Sequence, residues 1–382
     1  MYIMKSKLLF LAALIPLLGG CGSNETPAEP GSLENRIYTI EDISNIASSV
    51  KDYKRVVCLG AGALRYYSYI GDLNKLIAVE DIDSATTFGV GQAIRPYYDA
   101  NKEKFSTLES TGKGGPANQE PTMEKLMLLE PDIVVSFYSP SKTFNADMVE
   151  KLECPVISLS QGTDGVFDET TLNSFRLLGK VFNRSDKTNK LINYINSQKN
   201  LLANLTVSNE NYYAGCIGNW GKTSLYGTYK DFPVFKYAKV SSFVDGLSDL
   251  VSNTQATITS EALIAGNPDK IFVDSAGINN FIADYKANKD NYTSLEAISN
   301  GEVYCLMPYN AYYTNLEVQL MSTYYVASIA HKEDELFKNM NIEDKYNEIL
   351  ENFVSKKMYN ELSSRDDAFG GYTKLDLDEL AK

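Results

Sequence analysis

The chain of 382 residues contains one short pattern twice, and that repetition limits the folds open to it. Glu124-Lys-Leu-Met-Leu-Leu-Glu-Pro131-Asp132 runs into Ile-Val-Val-Ser136, and Glu261-Ala-Leu-Ile-Ala-Gly-Asn-Pro268-Asp269 runs into Lys-Ile-Phe-Val-Asp274. In each copy a Glu opens a short helix, Pro-Asp follows seven residues later, and an apolar run of strand length comes next. Between the copies lies Ser185–Leu205, with no Gly or Pro and with Leu191, Ile192, Ile195, Leu201 and Leu202 at loosely helical spacing. This stretch predicts one helix of roughly 30 Å, with Ser185 placed to cap it. Two similar units separated by one long helix point to two lobes and a spacer.

The rest of the pattern agrees. Arg55–Gly60 reads as a strand, the segment through Ile70 as a helix, and Leu76–Val79 as the next strand. A strand–helix–strand unit of that length implies parallel pairing. Further strands are expected at residues 133–137 and 155–159, then at 212–217, 270–274 and 302–306. The predicted fold is α/β: two lobes, each with a mostly parallel central sheet flanked by helices, joined by one long α-helix. The expected boundaries are 36–184 for the first lobe, 185–206 for the linking helix and 207–382 for the second lobe.

The first twenty residues read as an export signal. Lys5 and Lys7 precede an apolar core, Leu8–Leu18, that is too short to span a bilayer comfortably. Leu18-Gly19-Gly20-Cys21 resembles a bacterial lipobox, which makes residues 1–20 a lipoprotein signal peptide and Cys21 the lipidated anchor. Residues 21–35 are rich in Ser, Asn, Glu, Pro and Gly and read as a flexible tether. The net charge of −13 excludes a nucleic-acid partner. Cys58, Cys154, Cys216 and Cys305 each lie in or beside an apolar run and lack zinc-site spacing; an exported chain could pair them, and small buried thiols are the leading reading. A single histidine, His331, excludes a histidine-rich metal site and argues against a Ser-His-Asp or Cys-His nucleophile.

The opening strand and helix (RVVCLGAGALRYYSYIGDLNKLIAVED), the Arg95-Pro-Tyr segment, the Gly112-Lys-Gly-Gly-Pro116 segment and the paired Glu…Pro-Asp units together resemble one family. It is the periplasmic binding proteins that feed ABC importers for ferric siderophores, haem and cobalamin. The resemblance covers roughly residues 50–360. It implies two α/β lobes joined by a helix, a small-molecule ligand between them, no catalysis, and an ABC permease dimer as partner. It also implies that Glu124 and Glu261 dock onto the permease. Each is equally a helix N-terminal Glu favoured by the helix dipole, and both roles are compatible.

In parallel α/β sheets ligands sit at the carboxyl ends of the strands. Applied to both lobes, this rule selects Gly60, Gly62, Arg65, Arg95, Tyr97, Tyr98 and Tyr138 from the first. It selects Trp220, Tyr226, Tyr229, Tyr309, Asn310, Tyr312 and Tyr313 from the second. The Gly60-Ala-Gly62 turn lacks the full dinucleotide-loop spacing and reads as a close backbone approach or a tight turn. Arg65 and Arg95 suit anionic groups of a chelate. Twenty-six Tyr against one Trp supply aromatic faces for catecholates, porphyrins or corrins. The expected ligand is therefore a metal chelate, foremost a ferric siderophore, with haem or a corrinoid as alternatives, and no cofactor or resident metal. The expected setting is the bacterial cell envelope, the chain a lipid-anchored monomer facing the periplasm or the outer surface. A surface lipoprotein that passes a chelate to another receptor is the competing reading.

Overall fold

The structure is a computed structural model that describes residues 31–47, 51–84, 94–114, 120–217, 224–311 and 313–382. Cys21, Trp220, Tyr312 and the export signal lie outside the described residues, as does most of the tether. Among the described residues no helix is long and apolar enough to cross a membrane.

The first sheet has six strands: β1 (Ile37–Tyr38), β2 (Val56–Leu59), β3 (Leu76–Val79), β4 (Glu109–Ser110), β5 (Ile133–Ser136) and β6 (Val156–Ser158). Their spatial order is β1-β6-β5-β2-β3-β4, and every pairing is parallel. The central strands β2 and β5 are buried along their whole length, as their Val-, Ile- and Leu-rich composition requires when helices cover both faces.

In the second lobe β7 (Asn211–Gly215), β9 (Ser241–Ser242), β11 (Lys270–Asp274) and β12 (Val303–Leu306) form a parallel sheet in the order β12-β11-β7-β9. Two antiparallel pairs are added: β8 (Gly227–Lys230) with β10 (Thr254–Thr257), and the hairpin β13 (Asn310–Ala311) with β14 (Tyr313–Thr314). The two-residue strands β1, β4 and β9 escape sequence reading because so short a run has no period to detect.

The repeated units are built on the same plan. Thr122 and Thr259 cap the helices Met123–Leu129 and Ser260–Gly266, accepting from Lys125 N and Ala262 N. Each helix ends on a left-handed residue, Glu130 (φ 45°) and Asn267 (φ 33°), so that Pro131 and Pro268 stop it. The following Asp then clamps the neighbouring strand. Asp132 accepts from Lys54 N (2.8 Å) and Arg55 N (3.0 Å) just before β2, and Asp269 accepts from Asn211 N (2.6 Å) at the start of β7. The side chains of Arg55 and Asn211 return the favour to the helix carbonyls, Arg55 at Leu129 O and Glu130 O, Asn211 at Gly266 O.

The linking helix spans Ser185–Ala203, about 28 Å. Ser185 is its first helical residue and not the cap. Arg184 occupies the cap position and makes no side-chain cap bond there. The linking helix is also not the sole tie between the lobes. Helix Leu316–Ala330 is almost wholly buried, and helix Ile342–Val354 packs against it and against the first lobe. The chain after residue 340 thus crosses back: Phe353 meets the Tyr69 ring edge-on at 5.2 Å, and Arg365 pairs with Asp99 at 2.7 Å. One hydrophobic cluster accordingly runs from Tyr38 to Tyr372 across both lobes.

Candidate ligand site between the lobes

The chain leaves β2 through a turn that only glycine fits. Gly60 has φ +84° and Gly62 φ +100°, in the left-handed region that L side chains avoid. A Cβ on Gly60 would stand 3.3 Å from Tyr138 Cε1, and one on Gly62 would stand 3.3 Å from Tyr313 Cδ2. The turn is therefore pressed between a ring of its own lobe and a ring of the other. Phe137, which follows β5, meets the Tyr313 ring edge-on at 4.6 Å. The carboxyl ends of β2 and β5 in one lobe face the segment that follows β12 in the other.

Helix Ala63–Ile70 starts at Gly62 and carries Arg65 into this junction. The Arg65 guanidinium is fully buried. Its Nη1 donates to Tyr313 O (3.1 Å), and its Nη2 donates to Ala311 O (3.1 Å) and Asn315 Oδ1 (2.9 Å). Asn315 Nδ2 in turn donates to Ile94 O at 3.0 Å. Nearby Tyr69 OH donates to Glu317 Oε2 at 2.5 Å. Burial pushes the Glu317 carboxyl up, with the Arg65 charge opposing it.

The bonds of Arg95 to described residues lie within the first lobe. Its Nη1 donates to Ile82 O and reaches Asp83 Oδ1 at 3.4 Å, and its guanidinium lies 4.5 Å from the Tyr98 ring centre. Tyr97 OH donates to the same Asp83 oxygen, and the Tyr97 ring stands 4.9 Å from the Arg65 guanidinium. Both arginines selected for anionic ligand groups are thus engaged by protein partners. A buried guanidinium needs that company, because unpaired it would lose its hydration without return.

In the second lobe Tyr309 N donates to Asp274 Oδ2 at 2.9 Å. Its ring meets Phe232 at 4.9 Å and Tyr229 at 5.9 Å, both edge-on. Tyr229 OH donates to Asn253 O. Asn310 opens the hairpin that presents Tyr313, which is 38% exposed and so within reach of a small molecule. Tyr226 stands apart: it stacks on Tyr292 in the separate core of the second lobe.

The junction therefore assembles Gly60, Gly62, Arg65, Tyr97, Tyr138, Asn310 and Tyr313, with Tyr229 and Tyr309 beside it. Arg95 and Tyr98 lie behind it, and Tyr226 is elsewhere. Phe137, within the strand end at residues 136–138, joins the junction, while three residues at or beside it escape sequence reading: Asn315, Glu80 and Asp274. The last two are carboxyls directly at or after the end of a buried strand, which is a legible signal. Burial pushes Glu80 up to about 8, against the Gly60 N–H that favours its anion, and pushes Asp274 up to about 7, against the Tyr309 and Ala276 N–H groups.

Glu124 and Glu261 are both exposed, each in the first turn of its helix. Apolar side chains lie exposed one turn on: Met127 and Leu128 in the first lobe, Ile264 in the second. A groove of about 940 Å³ lies at the opposite end of the second sheet, lined by Glu210, Lys270, Glu302 and Tyr304, and contains none of the expected ligand residues. Among the described residues no cluster of His, Cys, Asp and Glu is arranged to hold a metal ion, and Cys58, Cys154, Cys216 and Cys305 are all buried and free.

The family model described as periplasmic binding protein matches residues 63–309. No curated protein matches. Among solved structures, a periplasmic solute binding protein from Veillonella parvula is 14% identical with a TM-score of 0.60, covering 82% of this chain and 91% of its own. The molybdate-bound periplasmic binding protein of Haemophilus influenzae is 15% identical with a TM-score of 0.59, covering 80% and 94%. The periplasmic haem binding protein of Vibrio cholerae is 11% identical with a TM-score of 0.53, covering 72% and 98%. At these identities the structural likenesses speak for the fold.

Proposed function

The chain belongs to the periplasmic binding protein family, and from that premise we propose that it captures a metal chelate between its lobes and delivers it to an ABC importer. The observation that carries this reading is the meeting of the two ligand edges. The Gly60–Gly62 turn and Phe137, at the carboxyl ends of β2 and β5, face the Asn310–Tyr313 hairpin that follows β12. A ligand seated there would touch both lobes, with Tyr138 and Tyr313 as aromatic walls. The ligand class, foremost a ferric siderophore with haem or a corrinoid as alternatives, follows from that aromatic character. The neighbours' ligands, molybdate and haem, are metal species too.

Glu124 and Glu261 are the docking carboxylates in this reading. One stands on each lobe, on the same turn of the same repeated unit, which suits a permease with two equal halves. Cys21 supplies a lipid anchor at the cell envelope, and no reaction is catalysed. Two experiments test the reading. The purified chain, mixed with a ferric catecholate siderophore, haemin or cyanocobalamin in turn, should melt at a higher temperature with one of them, by mass action. A panel that leaves the melting temperature unchanged throughout rejects these ligands. The E124K/E261K double variant should abolish uptake in cells while retaining binding. Unaffected uptake would favour the surface lipoprotein that hands its chelate to another receptor.

A further inference from the structure

Glu80 is the residue directly after β3, and only 1% of it is exposed. Three segments at the carboxyl end of the first sheet converge on its carboxyl. Gly60 N donates to Oε1 at 2.9 Å, and Tyr138 OH reaches the same oxygen at 3.4 Å. Gly114 lies flat over the group: a Cβ there would stand 2.4 Å from Glu80 Cδ, and Gly114 has φ +65°, so both space and backbone demand glycine. The loop before Gly114 is laddered to the chain after Glu80, with Asp81 N donating to Gly112 O (2.7 Å) and Ile82 N to Lys113 O (3.2 Å).

The other oxygen, Oε2, is buried and has no hydrogen-bond partner among the described residues. A carboxylate held this way would leave half its charge unsolvated, whereas a neutral acid needs far less. The groups around it do not offer a counter-charge. Asp81 and Asp83 follow it in the chain and repel its anion, and Cys58 on β2 is a buried thiol. Lys142 stands over the Tyr138 ring at 4.6 Å and is paired with Glu120. Arg95 is paired with Asp83.

We propose that Glu80 is a positioning residue for ligand capture: as the protonated acid it fixes the Gly60 turn, the Tyr138 ring and the Gly112–Gly114 loop to one another. This rests on the ligand site lying at the lobe junction. Loss of the proton places beneath Gly114 an anion without a counter-charge and with Oε2 unsolvated, and loosens that edge. The carboxyl, raised by burial to about 8, makes the change fall just above neutral pH.

The test uses the full purified chain and two variants, E80Q and D274N. Backbone hydrogen exchange is followed from pH 6 to pH 9 and corrected for intrinsic rates. In the wild type, protection at residues 60–63 and 111–114 should fall at least tenfold over that range. E80Q, which keeps the shape of the neutral acid, should hold its protection across the range, and D274N should behave like the wild type at these amides. Should E80Q fail to fold, Y138F takes its place: removing a donor to the anion should move the midpoint to higher pH. Equal profiles in wild type and variant, or loss spread evenly through the core, overturn the proposal. In a second arm, affinity for haemin, cyanocobalamin and a ferric catecholate is measured at pH 6.5 and pH 9. A pH-dependent loss of affinity that E80Q removes supports the positioning role, and one that E80Q retains refutes it. If no probe binds at either pH, the ligand reading fails, and the exchange arm alone decides the role of Glu80.

Discussion

The two lobes carry the same helix–Pro-Asp–strand unit but secure it with different strength. In the first lobe Asp132 accepts two backbone N–H groups and Arg55 holds two helix carbonyls. In the second Asp269 accepts one N–H and Asn211 holds one carbonyl. The first sheet has six strands, the second four. Yet the second lobe lends the junction its hairpin and its buried helix, and Arg65 of the first lobe is spent on holding them. The difference teaches that the first lobe is the better-built platform and the second is the part it grips.

Breaking that grip should have the largest effect. Arg65→Met removes three donors from buried acceptors on the second lobe and should cost about 3–5 kcal/mol of stability. Urea unfolding of this variant should separate into two transitions, one per lobe; a single transition of unchanged midpoint would mean that the hydrophobic cluster alone joins them.

The next test sets one buried carboxyl of each lobe against the other. A carboxyl whose folded value is raised adds stability that is fully present below its unfolded value, near 4.5 for Glu80 and 3.8 for Asp274. That stability is lost as pH rises through the folded value, about 7 for Asp274 and about 8 for Glu80. The melting temperature should therefore fall between pH 5 and pH 9. D274N should reduce the fall up to about pH 7 and E80Q should reduce it up to about pH 8, each by roughly 2–4 kcal/mol of stability.

Smaller effects sharpen the contrast between the clamps. Asp132→Ala should cost about 2 kcal/mol and Asp269→Ala about 1 kcal/mol in urea denaturation, following the number of N–H groups each accepts. Equal costs would show that the second hydrogen bond of Asp132 adds nothing. The helix caps should not differ: Thr122→Ala and Thr259→Ala should each cost about 0.5–1 kcal/mol, since each accepts one N–H at 3.2–3.4 Å.

The repeat was legible because each residue in it has a local task. A Glu in the first turn, a Pro that stops the helix and an Asp that reaches the next strand all act within a few residues or on the adjacent strand. β3 and β11 were legible to the residue, since an apolar run between turn signals has few alternatives. The tasks of Arg65 and Asn315 were not. Arg65 finds its partners some 246 to 250 residues away, and nothing in its own segment distinguishes a ligand-facing arginine from one that holds a hairpin. Tyr226 and Tyr229 likewise differ by three residues but enter different cores, because the short β8 has no period that assigns faces. Glu80 and Asp274 could have been found: a carboxyl directly at the end of an apolar run enters a dry place unless the chain turns out to water.

The return of the C-terminal segment has a consequence for synthesis. A ribosome releases the first lobe long before residues 342–365 exist. Until they arrive, Tyr69 lacks Phe353 and Asp99 lacks Arg365. The first lobe must wait with part of its apolar surface uncovered, and its last closures are among the longest the chain makes. A nascent chain of this design stays open to handling by other factors until residues 342–365 have emerged.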